Sequence, residues 1–201
     1  YVGVVLTIDA DHLDYFKNLD NIRHSFHKFA ENIADGGALV INTEIPRYEE
    51  IIKGLKPRVI TYGSRDLSAD VRAGSISISP TGTYSFDIYY HDKLDCRVSL
   101  KVPGRHNVDN ALAAFAAAKV FDIDSKYIVE GLENYTGTDR RFQYKGTFNG
   151  VTVIDDYAHH PTEVKATLAA AKNIDKKKLW CIFQPHTYSR TYNLLKEFAE
   201  A

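Results

Sequence analysis

The sequence predicts an α/β fold, and three patterns carry that reading. Short apolar runs alternate with helix-period segments through the first third of the chain. Period-two alternation takes over from about Ser75, and the final segment returns to strands and helices. Together these describe parallel strands with helices, then an antiparallel meander, then the start of a βαβα portion.

Val2 to Ile8 is the first strand, and Asp9, Asp11, His12 and Asp14 crowd the loop that follows it. Leu19 to Ile33 fits a helix with Ile22, Phe26, Phe29 and Ile33 on one face, closed by Gly36 and Gly37. Ala38 to Asn42 (ALVIN) is the next strand, and a short helix from Tyr48 to Lys53 leads to the strand Arg58 to Tyr62. In the meander, Ile76 and Ile78 alternate with serines. Turns over Pro80 to Thr83 and His91 to Lys93 flank the alternating Tyr84, Phe86, Ile88 and Tyr90, and Val98, Leu100 and Val102 form the third strand. A glycine turn introduces a long alanine-rich helix within Pro103 to Phe121, and a shorter helix occupies Ser125 to Leu132. Thr136 to Phe142 (TGTDRRF) reads as a linker, which divides the chain into residues 1–140 and 141–201.

Gly150 to Ile154 (GVTVI) and Leu179 to Phe183 (LWCIF) read as buried strands, being short β-branched or aromatic runs bounded by polar breakers. Between them Pro161 suits a first helical turn, Glu163 complements its positive end, and Val164, Leu168 and Ala171 form an apolar stripe. Two strands joined by a crossover helix pair in parallel. Both following loops then share the sheet edge where α/β proteins bind ligands.

A chain of 201 residues with 44% hydrophobic content can bury a substantial core. Its 25 basic residues nearly cancel 26 acidic ones, which argues against a broad surface for nucleic acid or anionic membrane, so an anionic ligand must be held locally. No apolar run reaches the ~20 residues of a membrane span and no leader precedes the first strand, so a cytoplasmic protein is expected. Cys96 and Cys181 are expected to be small buried hydrophobes rather than a disulfide. The chain opens inside a strand, contains no methionine and stops in a helical pattern, and so reads as a piece of a longer protein.

Four groups of residues carry candidate chemistry. His12 with Asp9, Asp11 and Asp14 can bind a divalent ion or form a solvated acidic turn. Asn107 and Asn110 share a helix face, where their amides can meet the N6 and N7 edge of adenine; helix capping by Asn107 is the alternative. Arg140 and Arg141 can grip phosphate from the linker or remain solvated. Asp155 and Asp156, followed by Tyr157, His159 and His160, can hold ribose hydroxyls and orient a second substrate; a capping acid with a packed histidine explains part of this group. His186, Tyr188 and Arg190 arise on the neighbouring loop. No G-x-x-x-x-G-K-[ST] phosphate loop occurs in these residues.

The segments DHLDY (Asp11 to Tyr15), PGRHNVDNALAA (Pro103 to Ala114), RRFQYKG (Arg140 to Gly146), DDYAHHPTEV (Asp155 to Val164) and FQPHTYSRT (Phe183 to Thr191) resemble, in that order, those of the Mur ligase family. The resemblance implies that residues 1–140 are the later part of a central ATPase domain and residues 141–201 the first part of a Rossmann-like C-terminal domain. It implies an ATP-dependent ligase that joins L-alanine to the carboxylate of UDP-N-acetylmuramate through an acyl phosphate, in peptidoglycan synthesis. The cofactors implied are ATP and Mg2+. His12 would be a metal ligand, with its carboxylate partner and the phosphate loop upstream, so the chain alone is expected to be inactive. Asn107, Asn110 and Asp156 would hold ATP, Arg141 its phosphates, and Tyr157, His159, His186 and Arg190 the sugar nucleotide and alanine; His12, Arg141 and His159 would be catalytic. His27 stands where several sister ligases carry a carbamylated lysine, and Thr187 where arginine is expected. Rival readings are a ligase attaching a recovered tripeptide to the same sugar nucleotide, a metal-dependent hydrolase built on His12, Asp14, Asp156, His159 and His160, and a non-catalytic nucleotide-binding module.

Overall fold

The computed structural model describes residues 1–201, the side chain of Asp14 excepted. The first lobe is one six-stranded sheet, and its strands lie side by side in chain order. Strands β1 (Val2–Val5), β2 (Ala38–Asn42) and β3 (Arg58–Gly63) run parallel. Helix α1 (Leu13–Phe16) is a single turn, α2 (Leu19–Glu31) crosses from β1 to β2, and α3 (Tyr48–Ile52) from β2 to β3. β4 (Val71–Ile78) joins β3 in parallel through only two residue pairs, then turns into an antiparallel meander with β5 (Thr83–Tyr90) and β6 (Lys93–Pro103). The meander therefore extends the parallel sheet rather than forming a separate one.

Two layers cover that sheet. Ala38 and Val40 of β2 face a core with Phe115, Leu112 and Ala116 of α4 (His106–Lys119), while Leu39 and Ile41 face Val5, Ala30 and Ile51 on the opposite side. With both faces covered, β2 is buried at every position, the signature of a central parallel strand. α5 (Ser125–Asn134), capped by Asp124, packs beside β6, where Glu133 accepts the Ser99 amide at 2.9 Å. β1 stops at Val5, short of the expected Ile8, and on α2 Phe29 lies exposed although Ile22 and Ala30 are buried.

Gly37 marks where α2 hands the chain to β2. A Cβ there would lie 2.2 Å from the Tyr1 carbonyl and 2.7 Å from Ile33, so β1, β2 and α2 meet too closely for any side chain. Gly37→Ala is expected to cost about 1–3 kcal/mol through overpacking, read as a lower denaturant midpoint.

The second lobe departs from expectation. β7 (Gln143–Phe148) and β8 (Val151–Asp155) form an antiparallel hairpin, and α6 (Pro161–Lys172) follows with Pro161 in its first turn. LWCIF forms no strand: Ile182 is fully exposed, Trp180 is 75% exposed, and only Phe183 finds a ring partner, Phe198 at 5.3 Å. A parallel strand needs a ladder beside it, and among the described residues β8 pairs with β7 alone. Val151 and Val153 of β8 are likewise exposed rather than buried. Cys181 is exposed and Cys96 only half-buried, which corrects the view of both as core residues. The chain ends in α7 (Tyr188–Asn193) and α8 (Leu195–Glu200). Among the described residues no helix is long and apolar enough to cross a membrane.

Candidate active site

The loop after β1 and the start of α6 meet. Asp9 binds its neighbour's amide, Ala10, at 2.9 Å and accepts the Thr162 hydroxyl from the first turn of α6, with His160 Nδ1 3.7 Å from the same carboxylate. Asp11 accepts the fork of Arg190, Nε at 3.2 Å and Nη2 at 3.0 Å, while its Oδ1 also takes the His12 amide at 2.8 Å. Burial works against the charged form of Asp11, but Arg190 and the His12 amide prevail and hold its carboxyl below the usual range. Farther along the same junction, Gly82 and Gly104 of the first lobe lie against Ala170 of α6, close enough that a Cβ on Gly104 would sit 3.5 Å from the Ala170 methyl.

His12 itself adopts a left-handed backbone (φ 53°) and displays its imidazole to solvent, 68% exposed. That ring is available to a ligand. The carboxylates of Asp9 and Asp11 bind the other lobe, and Asp11 Oδ2 also lies 3.7 Å from His12 Nε2; the side chain of Asp14 is outside what the structure describes. Among the described residues no group of three acids, histidines or cysteines could enclose a metal. The loop that carries D-x-D-H is a lobe junction with one displayed histidine.

The linker and the loop before α6 form a second knot. Asp156 accepts the Phe142 amide at 2.8 Å through one oxygen and the Ala158 amide at 2.7 Å through the other, and the Tyr157 amide reaches the Arg140 carbonyl at 2.8 Å. Asp156 thus fastens the linker to the loop, and each oxygen keeps one lone pair for a further donor. Tyr157 packs edge-on to His159, ring centroids 5.2 Å apart, below the Arg140 guanidinium. His160 caps α6 through the Thr162 amide and Glu163 reaches back to the amides of His159 and His160, a reciprocal capping arrangement. Arg141 approaches Glu163 at 3.6 Å and is otherwise solvated.

Glu163 makes this knot sensitive to acid. Burial raises its pKa, but the two amides, His159 and Arg141 together bring it below the ordinary value. A carboxyl whose pKa is lower in the fold than in the unfolded chain stabilises the fold above the unfolded value, near 4.3, and that contribution disappears as pH falls through the folded value. Stability is thus expected to decline on the acid side of about pH 4–5, and Glu163→Gln is expected to flatten that limb in urea titrations between pH 3 and 6.

On α4, Asn107 donates to the Pro103 carbonyl at 2.7 Å and accepts from Asn110 at 3.1 Å. Arg105, not Asn107, holds the cap position. Both asparagines line a cavity of about 570 Å³ whose other walls include Leu6, Leu132 and Tyr135. Asn110 keeps its carbonyl oxygen free of the Asn107 bond. His186 is exposed, and its carbonyl accepts Arg190 Nη1 at 3.2 Å. His27, on α2, binds the Ile51 carbonyl at 2.7 Å and serves packing between α2 and α3.

One group escaped the reading of the sequence. Arg105 donates to Ser64 at 3.0 Å and approaches Asp109 at 3.9 Å, while Glu44 accepts the amide and hydroxyl of Ser64. Burial, reinforced by Glu44, raises the Asp109 carboxyl. The R-x-x-x-D spacing on one helix face was the available signal.

Fold and junction together define a two-lobed α/β protein whose loops converge where the lobes touch. The description "Mur ligase middle domain" matches residues 1–118 and "Mur ligase, glutamate ligase domain" residues 140–201. The chain belongs to the Mur ligase family. It is 48% identical over its whole length to the UDP-N-acetylmuramate–L-alanine ligase of Clostridium acetobutylicum, covering 43% of that protein, and 49% identical over 98% of its length to that of Agathobacter rectalis, again covering 43%. Among solved structures, it matches the UDP-N-acetylmuramate–alanine ligase of Thermotoga maritima (TM-score 0.71, 28% identity, 86% of this chain and 38% of that one). It also matches MurF from Acinetobacter baumannii (TM-score 0.77, 26% identity, 87% and 38%). The chain spans less than half the length of the curated relatives it matches.

Proposed function

We propose that this chain is part of an ATP-dependent ligase that joins L-alanine to the carboxylate of UDP-N-acetylmuramate in peptidoglycan synthesis in the cytoplasm, with residues 1–140 belonging to the ATP-binding domain and 141–201 to the C-terminal domain. The observation that carries this reading is similarity running through the whole chain, across both lobes, to proteins of that name at 46–49% identity.

The residues suit the groups the reaction needs. The cavity beside Asn110 is wide enough for a purine and mostly apolar, and the free side-chain oxygen of Asn110 can accept from an exocyclic amine. Asp156 keeps acceptor capacity for a ribose hydroxyl. The exposed imidazole of His12 offers one ligand to Mg2+. ATP supplies the phosphoryl group that activates the muramate carboxylate. Arg141, tethered only weakly, can turn its fork from Glu163 to a phosphate. Tyr157 and His159 on the loop before α6, and His186 and Arg190 at the start of α7, are the residues that would orient the sugar nucleotide and alanine.

The test is an assay of the intact enzyme with UDP-N-acetylmuramate, ATP and a panel of amino acids plus the cell-wall tripeptide. ADP release that requires alanine supports the proposal; release only with the tripeptide, or with no amine at all, overturns it.

A further inference from the structure

The strongest feature the proposed chemistry does not use is the pair of aspartates ahead of His12. Asp9 and Asp11 are separated from Thr162 and Arg190 by 153 and 179 residues, yet each holds a different element of the C-terminal lobe. Arg190 is only 11% exposed, and every nitrogen of its guanidinium is engaged: Nε and Nη2 by Asp11, Nη1 by the His186 carbonyl. The Asp11 carboxylate that grips Arg190 also receives the backbone amide of His12. One side chain therefore touches both the displayed histidine's backbone and the opposite lobe.

We infer that Asp11 is a positioning residue that clamps the His12 loop to the C-terminal lobe through Arg190, with Asp9 and Thr162 as a second fastening. The clamp itself rests on geometry; that it serves catalysis rests on the ligase reading above. Three physical points favour it. A forked, partly desolvated pair is stronger and more directional than a surface ion pair. His12 sits in a left-handed conformation (φ 53°), and its backbone amide at that turn is held by the same Asp11 carboxylate. Finally, with its Nε–Nη2 edge filled by Asp11 and Nη1 held by the His186 carbonyl, Arg190 meets an incoming carboxylate through its remaining Nη hydrogens or by exchanging Asp11 for it. Substrate arrival and clamp geometry are thereby linked.

Hydrogen exchange followed by mass spectrometry on the intact enzyme tests the clamp without depending on activity. Arg190→Ala is expected to speed exchange of residues 9–16 about ten- to a hundredfold, Asp11→Asn to do the same for residues 186–194, and the double variant to add little to either. Should the alanine variant unfold, Arg190→Lys, which retains charge but loses the fork, is expected to give the same local pattern. Unchanged exchange at residues 9–16 in both Arg190 variants overturns the inference. In steady-state assays Asp11→Asn is expected to lower kcat more than it raises KM, and Asp11→Glu, which keeps the carboxylate, to recover part of the loss. A merely structural contact would shift stability without that split or rescue. If the wild-type enzyme shows no alanine-dependent turnover, the ligase reading fails while the exchange result still decides the clamp.

Discussion

Phe115→Ala is expected to destabilise the first lobe by about 3–5 kcal/mol, the range for deleting a fully buried aromatic side chain. Phe115 is inaccessible to solvent at the centre of α4, amid the larger core formed by Val40, Ile60, Tyr62, Phe86 and Ile88. Its ring meets Tyr90 edge-on at 6.2 Å and lies under the Lys119 ammonium at 5.1 Å, so truncation removes an aromatic pair and a cation–π contact along with packing. The surrounding small residues, Ala111, Ala113 and Ala116, cannot swing inward to fill the gap. Because α4 also carries Asn107 and Asn110, nucleotide affinity is expected to fall with stability. Denaturant midpoints measure the first effect; a shift worth less than about 1 kcal/mol would mean that the site collapses around the void. Phe115→Leu, which keeps most of the volume, is expected to lose less than the alanine variant.

Arg141→Ala is expected to act in the opposite way, with a large loss of turnover and almost none of stability. The side chain is 56% exposed and its ion-pair partner, Glu163, lies 3.6 Å away, a contact worth at most about 1 kcal/mol. If the guanidinium instead stabilises charge on the transferring phosphoryl group in the intact enzyme, its removal costs about 10²- to 10³-fold in kcat, the scale set by deleting one preorganised donor. Arg141→Lys restores the charge without the planar fork and is expected to recover only part of the rate. Turnover of Arg141→Ala close to wild type, with unchanged melting, would remove Arg141 from the mechanism.

Where local pattern and tertiary surroundings agree, the elements were legible in advance. β2 was readable as ALVIN because every residue is apolar or a strand-end asparagine, and both its faces are in fact covered. The middle strand of the meander was readable because Tyr84, Phe86 and Ile88 alternate with polar neighbours, and these three are the buried positions of β5. LWCIF carries an equally clear apolar signal and forms no strand, because β structure requires a neighbour whose hydrogen-bonding edge is present, which a run of side chains cannot reveal. The candidate site divides in the same manner. His12, Asn107, Asn110 and Asp156 stood out by residue type and position, but the commitment of Asp11 to Arg190 did not, since that contact joins residues 179 positions apart.

Periodicity, punctuation by glycine and proline, and the order of polar clusters were enough to establish an α/β chain. Those signals act between residues a few positions apart. Which carboxylates are already spent, which histidine is displayed and which apolar run finds a ladder depend on elements brought together across most of the chain. Only the folded arrangement settles them, because an ion pair or a strand pairing is a property of two surfaces and not of either segment.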